Sequence, residues 1–206
     1  CEELYYIRGK AYAILGLCRW RDRKAREYVA ALAADLATAL EANATDDWFW
    51  FEDCLTYGNA VMPFALLEAA NLCDNINWLT AGQRSLDFLL KTTFDNDVFR
   101  PVGCKGWYRK GETPAMYDQQ PIEACETLLA CLRAYTLTGN AAYHTYARNC
   151  LAWYVGQNVA GMPLINPATG GCRDGITSKG LNENEGAESL ISWHIARLTW
   201  KKYNQA

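Results

Sequence analysis

Apolar residues recur along this chain at helical spacing almost throughout. Ala25, Val29, Leu32, Leu36 and Leu40 form one such stripe, and Tyr143, Ala147, Cys150, Leu151 and Tyr154 form another. A repeat near 3.6 residues places these side chains on one helix face. Strict alternation of the kind that marks half-buried strands is nearly absent. The pattern predicts helices near 3–19, 23–43, 58–74, 79–94, 119–138, 141–157 and 184–203. Asp22, Thr80 and Asn140 stand where side-chain caps are expected, and Gly139 where a helix should stop.

The helices alternate in character. Those beginning near 58, 119 and 184 are small or apolar around most of their surface, as in Ile122-Glu-Ala-Cys-Glu-Thr-Leu-Leu-Ala-Cys-Leu132. Those beginning near 23, 79 and 141 carry one apolar stripe and one polar face. An all-round apolar helix is expected inside and a one-sided helix outside. The links within pairs are short, as at Thr138-Gly-Asn140, whereas those leading to the next inner helix are long. Alternation of this kind predicts an all-α fold: a ring of αα-hairpins, (α/α)6-barrel-like, of which about seven helices make a partial ring. No linker or low-complexity stretch divides residues 1–206, so a single domain is expected. The start at Cys1 rather than Met, within helical sequence, suggests a piece of a longer chain.

Three of the long links look alike. They read Trp48-Phe-Trp-Phe-Glu-Asp-Cys-Leu-Thr-Tyr-Gly-Asn59, then Trp107 through Tyr117-Asp-Gln-Gln-Pro-Ile-Glu123, then Gly170 through Asn182-Glu-Asn-Glu-Gly-Ala-Glu188. Their spacing of roughly 60 residues matches two helices and a loop. In an up-down ring all three emerge at one end, so they should face one cavity rich in acids, amides and aromatic rings.

Composition narrows the partners. The chain has 206 residues, half of them apolar, with a net charge of −3 and scattered Lys and Arg. No basic stripe of the kind nucleic acid needs is present, and no run approaches the roughly 18 apolar residues of a membrane span. No signal-peptide pattern opens the sequence. The nine cysteines lack zinc or redox spacing. Cys18, Cys73, Cys125, Cys131 and Cys150 fall in apolar helical patterns, which points to buried thiols, a reducing compartment and a cytoplasmic location. Asn43-Ala-Thr45 matches the N-glycosylation pattern, a match common by chance.

The paired motifs Trp50-Phe-Glu-Asp-Cys-Leu-Thr-Tyr-Gly-Asn-Ala60 and Tyr117-Asp-Gln-Gln-Pro-Ile-Glu-Ala124, with Gly171-Cys-Arg-Asp-Gly175 and Asn184-Glu-Gly-Ala-Glu-Ser189, resemble the (α/α)-toroid domains of carbohydrate-active proteins. The likeness runs over residues 45–200. It is strongest to helical domains associated with bacterial glycosyltransferases, and more distant to the six-hairpin glycosidases and sugar 2-epimerases. The resemblance implies a sugar or oligosaccharide ligand. Complete rings of that superfamily have six hairpins against about three and a half here, so a fused or partner domain is expected to complete the circle.

Glycosidic-bond chemistry needs two carboxyls flanking the bond. Asp118, between Tyr117 and two glutamines, is the first candidate, with Glu52 or Asp53 across the cavity. Helix capping is the structural alternative for Asp118, and for Asn182 and Asn184. Asp174, Glu185 and Glu188 supply further acids. Asn59, Gln119, Gln120 and Asn184 both donate and accept, which suits hydroxyl groups. Trp48, Trp50, Trp107, Tyr108 and Tyr117 lie near or in loops, either to stack on sugar rings or to anchor the loops. Trp78, Trp153, Trp193 and Trp200 belong to helices and read as packing. Glu123 and Glu126 lie in a mostly apolar helix, so at least one of them needs a hydrogen-bonding partner on a neighbouring hairpin or a polar lumen. Arg173 reads as a surface ion pair or a contact to an acidic sugar.

His144 and His194 form no metal-spaced pair, and no phosphate loop or dinucleotide fingerprint occurs, so neither metal nor cofactor is expected. The sequence supports a carbohydrate-active toroid using paired carboxylates, or a non-catalytic sugar-binding or scaffolding module attached to a glycosyltransferase. A helical-repeat protein that binds other proteins is a third reading.

Overall fold

The computed structural model describes residues 4–20 and 22–204, and the expected helix start at residue 3 lies outside them. Seven helices form among the described residues. They are α1 (Ile7–Leu17), α2 (Arg23–Asn43), α3 (Val61–Cys73), α4 (Ile76–Thr93), α5 (Pro121–Thr138), α6 (Ala141–Tyr154) and α7 (Ala187–Tyr203). Three antiparallel ribbons lie in the long links: β1 (Cys54–Leu55) with β4 (Tyr108–Arg109), β2 (Phe94–Asp95) with β3 (Val98–Phe99), and β5 (Gly175–Thr177) with β6 (Gly180–Asn182).

The predicted alternation is the architecture. Inner helices α1, α3, α5 and α7 pack side by side in chain order, and α2, α4 and α6 cover them from outside. The result is an arc of an α/α toroid. Helix α3 buries residues on every side, from Val61 through Ala70, because it lies between α1 and α5 with α4 behind. Helix α2 buries only Ala25, Val29, Leu32, Ala33, Leu36 and Leu40, the stripe its periodicity predicted. Between α3 and α5, Arg133 pairs with Glu68 at 3.1 Å in largely buried surroundings.

Local chemistry sets the helix ends. Asp22 Oδ1 accepts the Ala25 N–H at 2.7 Å, and Asn140 Oδ1 accepts the Ala142 N–H at 3.0 Å. Gly139 closes α5 in the left-handed conformation. At α4 the expectation fails. Asn75 caps the helix through the Asn77 and Trp78 N–H groups, so α4 begins at Ile76, and Thr80 lies inside it with its hydroxyl on the Ile76 carbonyl. Asn outranks Thr as a cap and sits just after the left-handed Asp74 that ends α3.

Helix α7 departs further. Its sequence predicted burial around most of its surface, yet it buries only Ser189, Ser192 and Ala196. Ile191 is 57% exposed, Ile195 43% and Leu198 61%. The reason is position: α7 packs on α5 and α6, and no described helix covers its other flank.

Gly175 holds the third ribbon against the rim. Its φ is +144°, and a Cβ there would overlap the Gln119 carbonyl oxygen. Gly175→Ala is expected to cost about 2–3 kcal/mol through strain and the lost backbone pairing. For a chain of this size that lowers the thermal midpoint by about 5–10 °C, readable by calorimetry.

Candidate functional site at the inner-helix N-termini

The three look-alike links meet at the N-terminal ends of the inner helices, where backbone pairing stitches them together. Cys54 and Leu55 of the first pair with Arg109 and Tyr108 of the second, and the Lys110 N–H donates to the Asp53 carbonyl at 2.8 Å. Within the second link, the Cys104 N–H donates to the Asp118 carbonyl at 2.9 Å. Gln119 and Ile176 exchange both backbone bonds, at 2.9 and 3.0 Å, which joins the second link to the third.

Beneath this rim lies a polar cluster contributed by three inner-helix regions. Glu123, in the first turn of α5, is fully enclosed. Its carboxyl accepts the Gly58 N–H, and the Asn59 side-chain amide at 3.1 Å. One turn deeper, Glu126 Oε1 accepts the Tyr12 hydroxyl of α1 at 2.6 Å. Its Oε2, beside Gly58, is buried without a hydrogen-bond partner among the described residues. Arg8 of α1 donates to Glu52 Oε2 at 2.6 Å and to the Tyr57 carbonyl at 2.8 Å, with its guanidinium over the Tyr57 ring.

Burial pushes the Glu123 carboxyl up to about 7, although its hydrogen bonds to Asn59 and Gly58 pull the other way. Burial, then the nearby Glu123 charge, raises Glu126 to about 8. Two carboxyls in low-dielectric surroundings do not both ionise readily, so this cluster holds a proton near neutrality.

The sequence-nominated residues divide into groups. Glu52 is bound by Arg8 yet keeps about one-third of its side chain exposed. Asp53 is exposed. Asp118 is half-buried, and its carboxylate has no hydrogen-bond partner among the described residues. It does not cap α5, whose N-cap is Gln120, followed by Pro121. Trp107, Tyr117 and Gln120 are half-buried along the rim, and Tyr108 packs its ring against Trp48.

Others are absorbed into structure. Trp50 is fully buried against Phe51 and Phe88. Trp48 is 3% exposed and donates its indole N–H to the Glu52 carbonyl, so of the two alternatives for these tryptophans the geometry is that of loop anchoring. Asn59 is buried, bonded to Thr56 and Glu123. Gln119 is buried between the Trp153 indole and the Met116 carbonyl. Asp174 accepts the Gly186 N–H and the Ser189 hydroxyl at 2.7 and 2.6 Å, capping α7 from a distance. Neither Asn182 nor Asn184 caps that helix. Asn182 Oδ1 takes the Asn184 N–H, and the Asn184 carbonyl takes the Asp174 N–H. Glu185 is exposed and pins the 166–171 turn through Asn166 and Thr169, hydrogen bonds that hold its carboxyl below the ordinary range. Arg173 pairs with Glu183. Glu188, in the first turn of α7, is exposed at the edge of the concave face beside Ser192 and Glu126.

Arg8 and Tyr12 were not nominated by sequence. Their spacing of four residues puts them on one face of an inner helix, a signal that becomes readable once α1 is assigned to the inner ring. His144 is enclosed by the Tyr135 and Trp200 rings, and the Asn43 side-chain amide donates to the Ala39 and Phe51 carbonyls. Among the described residues no group of three or more His, Cys, Asp and Glu is disposed to hold a metal ion, and no helix is long and apolar enough to cross a membrane.

Inner helices in an arc, an outer layer and a polar rim at one end define an α/α-toroid domain. No protein-family model matches the chain, and no curated protein matches it in sequence. Among solved structures it is similar to a selenomethionine derivative of a GH76 alpha-mannanase from Bacteroides thetaiotaomicron, with a TM-score of 0.65 at 15% identity. The match covers 95% of this chain and 53% of the mannanase, so the chain spans about half that protein's length. At this identity the likeness carries the fold.

The buried acids give a pH signature. Both folded-state values lie above the ordinary 4.5, so the folded chain binds more protons than the unfolded one between them. Their contribution to stability is full below about pH 4.5 and is lost as pH rises through about 7 and then 8. Urea unfolding at pH 5, 7 and 9 should show stability falling across this range. The double variant Glu123→Gln/Glu126→Gln should flatten the fall; an equally steep fall in that variant would place its origin elsewhere.

Proposed function

We propose that the chain is a carbohydrate-active α/α-toroid domain that binds a sugar or oligosaccharide at the stitched rim. The observation carrying this reading is that backbone pairing gathers three acid-, amide- and aromatic-rich links above a buried pair of carboxyls. Half-buried Trp107 and Tyr117 offer ring faces, and Gln120 offers both donor and acceptor. The solved alpha-mannanase of similar fold supports the ligand class by analogy.

The chemistry that fits is acid/base cleavage of a glycosidic bond, with Asp118 and either Glu52 or Asp53 as the carboxyl pair. Asp118 has an unengaged carboxylate, and Glu52 is oriented by Arg8. α-Linked manno-oligosaccharides are the first substrates to try, followed by a broad glycan panel. Asp118→Asn and Glu52→Gln should each lower turnover by at least about a hundredfold, the scale of general acid–base catalysis. Stability should fall by no more than about 1 kcal/mol, since the Arg8–Glu52 pair is partly exposed. Wild-type chain without affinity for any glycan would sink the reading.

A non-catalytic module attached to a glycosyltransferase is the second reading. It is favoured by Asp174, Glu185, Asn59 and Gln119 being occupied in holding the rim together. Glycan binding without turnover, beside an adjoining nucleotide-sugar-binding domain in the coding sequence, distinguishes it. A cytoplasmic setting belongs to the same proposal, supported by the eight described cysteines being unpaired, five of them buried.

A further inference from the structure

A single peptide group joins the rim to the acids beneath it. The Tyr57 carbonyl accepts from Arg8 Nε at 2.8 Å, and the N–H of the same peptide, that of Gly58, donates to the Glu123 carboxyl. Arg8 Nη1 continues outward to Glu52 Oε2 at 2.6 Å. Glu52, Arg8, the Tyr57–Gly58 peptide and Glu123 thus form one hydrogen-bonded chain, with a partly exposed carboxylate at one end and an enclosed carboxyl at the other. Glu126 lies against the same peptide. A Cβ on Gly58 would stand 3.3 Å from Glu126 Oε2 and 3.2 Å from the Tyr12 hydroxyl.

Two atoms of this cluster are left idle. Arg8 Nη2 and Glu126 Oε2 are both buried, and neither has a hydrogen-bond partner among the described residues. A neutral Glu126 makes little demand on a cation, whereas an ionised one in low-dielectric surroundings requires a close positive charge. Arg8 is the cation that acts on both Glu123 and Glu126. The other titratable groups facing the pair are Tyr12 of α1, Tyr57 of the first link, Cys125 of α5 and Glu188 of α7, and none of these supplies a positive charge. From α3 the side chains beside Glu126 are Val61 and Phe64, which are apolar.

We propose that Arg8 is a positioning residue shared between the rim and the buried acids, so that ionisation of Glu123 and Glu126 draws its idle Nη2 toward Glu126 Oε2 and loosens its hold on Glu52. The protons leave to solvent, and no other bond changes. A guanidinium suits such sharing, because its Nε is held by the Tyr57 carbonyl while its two Nη groups can serve different acceptors. With the pair protonated, the charge of Arg8 belongs to Glu52; with the pair ionised, it is divided. Burial sets where this happens, since it raises the two acids to about 7 and about 8. The meaning for sugar chemistry rests on Glu52 serving at the rim, whereas the coupling itself does not.

The test is NMR of the full chain, labelled at the glutamate side-chain carboxyls and followed without glycan from about pH 6 to 9, the range that brackets both acids. Glu123 and Glu126 should titrate near 7 and 8, and the Glu52 signal should step over the same range. In Glu123→Gln/Glu126→Gln, shown to be folded by circular dichroism, the step should vanish. Should that double variant not fold, Glu126→Gln, which keeps an acceptor for the Tyr12 hydroxyl, should remove the upper part of the step. Arg8→Lys keeps the charge but cannot hold the Tyr57 carbonyl and Glu52 together, and it should shrink the step by at least about half. A Glu52 signal flat across the range, acids that do not titrate within it, or a step unchanged in Arg8→Lys would overturn the proposal. An unchanged step would mean that the field of the ionised pair acts on Glu52 without the guanidinium. Glycan titrations at both ends of the range separate this proposal from the sugar reading. A step without glycan binding keeps the coupling and removes the sugar reading, and glycan binding without a step does the reverse.

Discussion

The carboxyl of Glu123 is the contact on which both the arc and its rim depend. It reaches from the first turn of α5 to the backbone and side chain that lead into α3, and it does so fully enclosed. The start of a helix leaves N–H groups without intrahelical partners, and α3 has no capping side chain of its own. The Val61 and Met62 N–H groups turn back to the Gly58 and Asn59 carbonyls, and Glu123 of the neighbouring hairpin fixes that turn through the Gly58 N–H and the Asn59 side-chain amide. The same contact therefore holds the turn from which one helix starts and fixes its spacing to the next. Glu126 repeats the device one turn down by taking the Tyr12 hydroxyl, which draws in α1. At the far side of α3 and α5 the Glu68–Arg133 pair makes a second polar link. Between these contacts the inner ring is apolar, and hydrophobic packing without direction is given a register by a few directional bonds.

Such an arrangement separates residues that build the rim from residues available to a ligand. Amides and acids already committed to the backbone, such as Gln119, Asn59 and Asp174, cannot be redirected without exposing unpaired donors or acceptors. Asp118, Asp53 and the outer part of Glu52 carry no such obligation. Asp174 caps α7 from outside that helix, and Glu123 holds the turn that leads into α3. Both inner-helix starts are thus completed by the part of the chain that forms the rim, and fold and site share the same bonds.

The helices were legible in sequence because their stability comes from stripes that sequence displays directly. All seven appeared, and the inner–outer alternation followed from how far round each helix the apolar residues extend. Long-range geometry was less legible. Trp48 and Trp50 sit in a loop sequence, yet that loop folds down onto Phe88 of α4. Whether a loop aromatic faces solvent depends on a contact nearly forty residues away. Arg8 and Tyr12 are not legible in sequence because a polar pair on a helix reads as a solvated face until the helix is placed in the inner layer. Helix α7 misled in the opposite sense: its composition is that of a buried helix, and the described neighbours bury only one side of it.

The pairing of β1 with β4 carries a consequence for how this rim can diversify. In many scaffolds, surface loops vary in length independently, because each is closed on its own stem. Here the first link is hydrogen-bonded along its middle to the second, and the second to the third. A residue inserted between Asp53 and Leu55 would shift the register against Tyr108 and Arg109, turning the first link's side chains to the opposite face. Viable variants should therefore change adjacent links together, or confine length changes to the segments 111–114 and 166–170 outside the pairings. The rim is in this sense one heritable unit rather than three.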